Sequence, residues 1–469
     1  MDERPSSPDD DRDRSTVDGG EQQSVDVAVV GGGLAGLTAA VTAARAGATV
    51  ALVDAGRVGG RARATVVDPG VVFNAGPRAL YLGGAAAREL SALGVRWHGG
   101  VPATAASRAR RDGVDHVMPG TPGQLLRTRL LGPAGKARVG WLLGTIARRD
   151  PSALVGRSVT DWVEGLGLGH DAAGLVLAVV RLATYVDDPD HLDAGAALAQ
   201  LQLALGRGVL YLDGGWQTLV DQLLATAVGA GVVVHDHASV RSVSSRSGTP
   251  ASSADGWVVA TAGRSLLARS VVLAAGTPAA AAGLSPVGLR LDGVGRPVTA
   301  ACWELAVRGT PPVRFLLGID RPLYLSQHGP PAHLAPEGIS VVHVLRYGVT
   351  ESDAEADRAE MWDHAQAAGV TRGDIVAQRH LRRMVVSGAA PLAASGGSAG
   401  RPPVTVAGAP GLFLTGDWVG DDGMLADAAV ASGVLAGRRA ATAATTRAGT
   451  EAVLGDGAQR GVVGTGWAR

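Results

Sequence analysis

The sequence predicts an α/β fold in which a domain of parallel sheet flanked by helices is interleaved with a second, mixed α+β region. Three observations predict it. The stretch 25–63, VDVAVVGGGLAGLTAAVTAARAGATVALVDAGRVGGRAR, sets a short Val-rich run, a glycine turn, an Ala/Leu-rich run and a second apolar run ending on an acid in that order. A second stretch, 411–418 (GLFLTGDW), is again a short apolar run stopped by Gly-Asp, far along the chain. Finally, 469 residues are too many for one simple core, so the long intervening segment has to build a domain of its own.

Taken in order, residues 1–24 hold eight acids against three arginines, with almost nothing apolar, and predict a disordered acidic tail. Val25 to Val30 suits a buried parallel strand and is too short for a core helix. Gly31, Gly33 and Gly36 then fall in the spacing G-x-G-x-x-G, and Leu34 to Ala46 reads as a helix ended by Gly47. In that context Gly31 permits the tight turn, Gly33 lets the backbone approach a pyrophosphate, and Gly36 lets the helix pack close to the sheet. The helix N-terminus, at Leu34 and Ala35, offers free N–H groups and a positive dipole end to phosphates. Asp54 closes the next strand 21 residues after Gly33, the position of a carboxylate that binds a ribose hydroxyl. A lone glycine pattern means little in a chain with 68 glycines. Strand, glycines, helix, strand and acid together point to a Rossmann-like dinucleotide site.

Gly59-Gly60-Arg61 follows within a few residues. The glycine turn, the acid and this GGR together resemble the superfamily of FAD-dependent amine oxidases and phytoene (carotenoid) desaturases. The resemblance covers most of residues 25–445, specific at both ends and loose between, and it implies FAD as cofactor. It places Gly60 and Arg61 along the FAD pyrophosphate, and Gly76 and Pro77 of the segment VVFNAGPR where the backbone passes the flavin ring. Arg78 departs from the family pattern there and reads either as a substrate contact or as a solvated charge. Val240 takes the position whose backbone contacts the adenine. Gly416 and Asp417 close the site near the ribityl and pyrophosphate. The next helix, Ala426 to Thr442, turns its N-terminus, Leu425 and Ala426, toward the flavin N1–C2=O edge. A helix dipole there stabilises the negative charge of a reduced flavin.

The same reading divides the chain. Residues 25–85, 206–285 and 402–445 form the FAD-binding domain, a Rossmann-like parallel sheet with helices. Residues 86–205 and 286–401 form the substrate domain, the first half alternating helices and loops and the second returning with a sheet. Residues 389–401 read as a Gly/Ser/Pro linker, and 446–469 as a flexible C-terminal tail. Tyr185 to Asp190 is an acidic turn, in which acids beside Pro form turns and caps more readily than a cation site. His235 and His237 have no third ligand at recognisable spacing, so no metal site is expected.

Composition excludes several classes. Basic and acidic residues balance at 43 each, so no overall field favours nucleic acid or an anionic surface. The single cysteine, Cys302, excludes an intrachain disulfide and a CxxC redox pair, and reads as a buried small residue. No run reaches the roughly 20 apolar residues of a membrane span. The acidic N-terminus lacks a signal peptide's basic region, so a cytoplasmic protein is expected. Peripheral contact with a membrane surface stays open.

These features predict an FAD-dependent oxidoreductase that removes hydride from an apolar small molecule, in the manner of phytoene desaturases. Oxygen or a quinone would reoxidise the flavin, because no second glycine-turn unit for NADPH appears in mid-chain. A flavin amine oxidase ranks below it, since Leu425 stands where a cage tyrosine would and aromatic residues are only 4% of the chain. A non-catalytic binding protein of the same fold ranks lower still, both motifs being intact. A flavin cofactor carries the hard chemistry itself, and no catalytic residue is marked in the sequence.

Overall fold

A computed structural model of the chain describes residues 22–103, 105–248, 256–349 and 354–459. It opens with strand β1 (Gln22–Val30), helix α1 (Leu34–Arg45) and strand β2 (Val50–Val53). Val27, Ala28 and Val29 are wholly buried, as in a strand covered on both faces. The first sheet has seven strands. Val233–His235, β2, β1, Ser265–Leu273, Trp257–Thr261 and Val240–Ser245 lie side by side in that order, and Leu412–Leu414 adds to the Ser265–Leu273 strand. Pairing is parallel from Val233–His235 across to Ser265–Leu273 and Leu412–Leu414, and antiparallel for Trp257–Thr261 and Val240–Ser245. Val30 stands opposite Val53 and Leu273, and Leu273 opposite Leu414. The carboxyl ends of four parallel strands therefore open on one crevice, where such sheets bind ligands.

α1 is Ala-rich because it is buried on nearly every side, from Leu34 through Ala43. It lies against the sheet and against the final helix, Leu425–Gln459. A Cβ on Gly433 would come 2.5 Å from Ala35 O, and one on Gly437 would come 2.4 Å from Ala39 O. One turn apart on the final helix, these glycines let the two backbones touch.

The second sheet, also of seven strands, runs Ile375–Ser387, Val298–Arg308, Ile339–Tyr347, Leu323–Gly329, Phe315–Gly318, Ser107–Arg111, Val114–Val117. Helices Pro133–Ile146, His170–Thr184 and Ala194–Gly206 cover it through a core that includes Leu142, Leu175, Leu198 and Tyr324. Helix Ala354–Ala367 packs on it through Met361 and Ala365.

Several expected boundaries are corrected. β1 begins at Gln22, inside the stretch expected as tail, and the rest of that stretch lies outside the described residues. Residues 86–205 contain a hairpin, Ser107–Arg111 and Val114–Val117, that joins the second sheet. Its Arg-rich strand, Ser107–Arg111, lies between Phe315–Gly318 and Val114–Val117 and carries no hydrophobic run to announce it. Helix α2 (Ala85–Ala92) sends Ala86 and Leu90 into the core shared by β1 and α1. Residues 389–401 form packed 3₁₀ turns, with Leu392 bridged to Leu192 and Arg401 buried. The final helix runs on to Gln459 where a tail from 446 was expected, and 460–469 lie outside the described residues.

Candidate active site

The glycine turn is built by sterics and closed by a carboxylate. Gly31 adopts φ +107° and its N–H donates to Val53 O at 2.7 Å. A Cβ there would sit 2.3 Å from Ala274 O, and one on Gly36 would sit 1.8 Å from Gly31 O. Neither position tolerates a side chain. Gly33 differs: its φ −74° and ψ −177° suit any residue, and its Cβ would meet only Gly60 Cα, at 4.0 Å. Asp54 accepts from Gly32 N–H at 2.6 Å and from Gly56 N–H at 2.8 Å, which fixes its carboxylate beside the turn. α1 has no side-chain cap and no acid in its first turn. Free N–H groups, a dipole end and open space over Gly33 fit a phosphate group.

The two sequence motifs meet physically. Arg61 donates to Asp417 Oδ2 at 2.8 Å, to Val386 O at 3.1 Å and to Gly276 O at 3.3 Å. Asp417 is nearly buried, its side chain 4% exposed against 35% for Arg61, and also accepts from Gly388 N–H at 3.1 Å. The GGR arginine and the Gly-Asp carboxylate thus form one ion pair across the domain.

Around them a cavity of about 850 Å³ opens into the second domain. Of the cofactor candidates named from sequence, all but Gly36 and Gly76 line it. Gly36 sits beneath the turn. Gly76, at φ +96°, donates its N–H to Glu304 at 2.9 Å. Glu304 is wholly buried. Burial works to raise its pKa, but His343, 3.4 Å away, and Arg379, at 2.5 Å, outweigh burial and hold it at about 2. This buried carboxylate therefore pins the turn at Ala75 and Gly76.

The far wall is aromatic. The chain has five tyrosines, and four of them, Tyr81, Tyr185, Tyr211 and Tyr324, line the cavity. Burial pushes Tyr81 and Tyr211 up to about 12 and moves Tyr185 and Tyr324 higher still, so all four stay neutral phenols. His328 stacks on Tyr211 with ring centroids 3.7 Å apart and meets the His343 ring edge-on at 4.4 Å. Burial, helped by His343, lowers its pKa well below the usual range and keeps it neutral. Asp427 accepts from Ala86 N–H at 2.7 Å, and burial raises its pKa to about 6 despite that bond.

Sequence reasoning missed Glu304, His328 and Asp427. Asp427 was findable as an acid in the first turn of the last helix, whereas Glu304 and His328 sit in apolar strands with no motif around them. Arg78 is partly buried in the cavity wall, its Nε shielded, donating to Arg61 O at 2.8 Å. His235 Nε2 contacts Gln23 Oε1 at 3.1 Å, and among the described residues no cluster of three metal-ligating side chains exists. Cys302 is buried. Among the described residues no helix is long and apolar enough to cross a membrane.

A domain built from a parallel sheet, a glycine turn and a carboxylate, joined to a sheet-and-helix domain over a shared cavity, is the class that fold and site define. Comparison with known proteins agrees. Residues 29–93 match a family model described as an NAD(P)-binding Rossmann-like domain. By sequence the chain matches no curated protein. By structure it superposes on cyclohexylamine oxidase from Brevibacterium oxydans with a TM-score of 0.66, at 18% identity, over 90% of this chain and 99% of that one. An oxidoreductase from Methanosarcina mazei gives 0.66 at 18%, over 87% and 99%. Putrescine oxidase bound to putrescine gives 0.66 at 16%, over 89% and 99%. The chain has the fold of these three proteins, over nearly their whole length.

Proposed function

We propose that the chain is an FAD-dependent oxidoreductase that withdraws hydride from a largely apolar small molecule, in the manner of desaturases. The observation that carries this reading is the meeting of the glycine turn, Asp54, Arg61 and Asp417 on one cavity, with the Arg61–Asp417 pair at 2.8 Å. The α1 N-terminus and the space over Gly33 would hold the pyrophosphate, Asp54 a ribose, and Val240 the adenine side. Leu425 and Ala426 would face the flavin ring. When bound, FAD supplies the hydride acceptor. The protein's part is to position the substrate, exclude water and hold charge near the ring. Apolar side chains such as Val179, Leu182 and Leu201 line the cavity, and His328, held neutral by burial, adds no charge to it.

Amine oxidation is the second reading. The tyrosine wall favours it, since aromatic faces attract ammonium groups, and the likeness to two amine oxidases is compatible with it. Arg78 in the same wall counts against a cationic substrate. FAD content decides the common part of both readings. Anaerobic bleaching of the flavin by a panel of amines and of polyprenoid hydrocarbons separates them.

A further inference from the structure

One partly buried arginine of the cavity wall lacks the directly paired carboxylate that its neighbours have. Arg61 is matched by Asp417, and Arg379 by Glu304. Arg78 lies close to both pairs, yet no carboxylate among the described residues pairs with it. Its partners are backbone carbonyls only, Arg61 O at 2.8 Å and Ala75 O at 3.4 Å, and its Nε is buried with no partner at all. Carbonyl dipoles orient a guanidinium but do not cancel its net charge, and Glu304 and Asp417 act on it only from a distance, so a partly buried cation of this kind gains from an anion brought against it. Ala75 and Gly76, held at φ +55° and +96°, fix the turn that presents it. Tyr185, Met384 and the apolar Leu182 and Leu201 line the same cavity. A planar fork of donors at one end of an apolar chamber is the arrangement that recognises a carboxylate on a greasy molecule.

We propose that Arg78 is the anion anchor of the cavity, and that the substrate it selects is an apolar molecule bearing a carboxylate. This rests on the reading of the cavity as a substrate chamber beside the cofactor, and it narrows that reading from apolar compounds to apolar acids. It also turns the site away from ammonium substrates, which would meet Arg78 head-on.

The test titrates the FAD-loaded protein with decanoate, decanol and decylamine, by calorimetry and by perturbation of the flavin spectrum. Wild type binds decanoate roughly tenfold or more tighter than decanol, the value of one charged hydrogen-bonded pair, and decylamine more weakly than either. Arg78→Lys keeps part of that preference. Arg78→Met and Arg78→Gln lose it while binding decanol and FAD as wild type does, which also shows that they fold. Equal binding of decanoate and decanol by wild type overturns the proposal, as does a preference that survives in both neutral variants. If wild type shows no carboxylate preference, but the neutral variants lose the sulfite adduct and lower the flavin midpoint potential, Arg78 serves the reduced flavin and the proposal falls. A protein that holds no FAD refutes the cofactor reading instead. The calorimetric decanoate arm then still decides the anchor.

Discussion

Gly33→Asp separates the fold from the cofactor site. Gly33 is the N-cap of α1, with φ −74° and ψ −177° and room for a Cβ whose nearest contact is Gly60 Cα at 4.0 Å. Asp is among the preferred N-cap residues and gains about a few tenths of a kcal/mol over Gly there. The folded protein should therefore be as stable as wild type or slightly more so. A phosphate over this turn would meet the new carboxylate at about 4 Å, where two unit charges near a protein surface repel by about 4 kcal/mol. That lowers FAD affinity by about a thousandfold. The assay is FAD per polypeptide after purification and after reconstitution, alongside the urea midpoint. Gly36→Ala is the counterpart, since its Cβ would lie 1.8 Å from Gly31 O and the turn must open to admit it. That variant should lose about 1–3 kcal/mol or more of stability, and its cofactor only as a consequence. Wild-type FAD content in Gly33→Asp would refute the phosphate assignment.

Asp417→Asn keeps the shape of the Arg61 contact and removes its charge. A charge-assisted bond reaching a nearly buried carboxylate is worth about 1.5–3 kcal/mol, less here because Arg61 is partly exposed, and urea melts should show that loss together with weaker FAD retention. Gly437→Val forces a side chain into Ala39 O on α1, so the melting temperature should fall by the equivalent of about 1–3 kcal/mol or more, with no contact to the cavity involved. Asp427 gives a pH test. Its folded pKa, about 6, lies above the ordinary 3.8, so the stability it contributes is present below the ordinary value and is lost as pH rises through about 6. Asp427→Asn should therefore stabilise the protein at about pH 8 and leave it unchanged or weaker at about pH 4, read as urea midpoints across that range. An equal effect at both ends would contradict the buried, charge-averse setting described for this residue.

Much of the first domain was legible because its constraints are local. The strand over Val25–Val30, the helix from Leu34 and the strand at Leu412–Leu414 follow from apolar runs bounded by glycine or polar residues, and they form where the pattern puts them. Gly31 and Gly36 carry backbone geometry, which a sequence displays directly. Arg61 and Asp417, 356 residues apart, were each readable from a motif, but their pairing with each other was not, because it depends on how the two segments close. The Ser107–Arg111 hairpin escaped notice because its strands draw stability from the sheet they join. Aromatic scarcity was read as evidence against an aromatic wall, yet composition says nothing of placement, and the few tyrosines gather in one cavity. Glu304, His328 and Arg78 owe their character to burial supplied by distant strands, which no local pattern encodes.

The central claim is that this cavity is built around a flavin dinucleotide. The most direct measurement is the visible absorption spectrum of the purified protein, followed by acid release of its chromophore. It should show the bands of an oxidised flavin, released as FAD at about one per chain. A colourless protein that stays colourless after incubation with FAD, while folding normally, would contradict it.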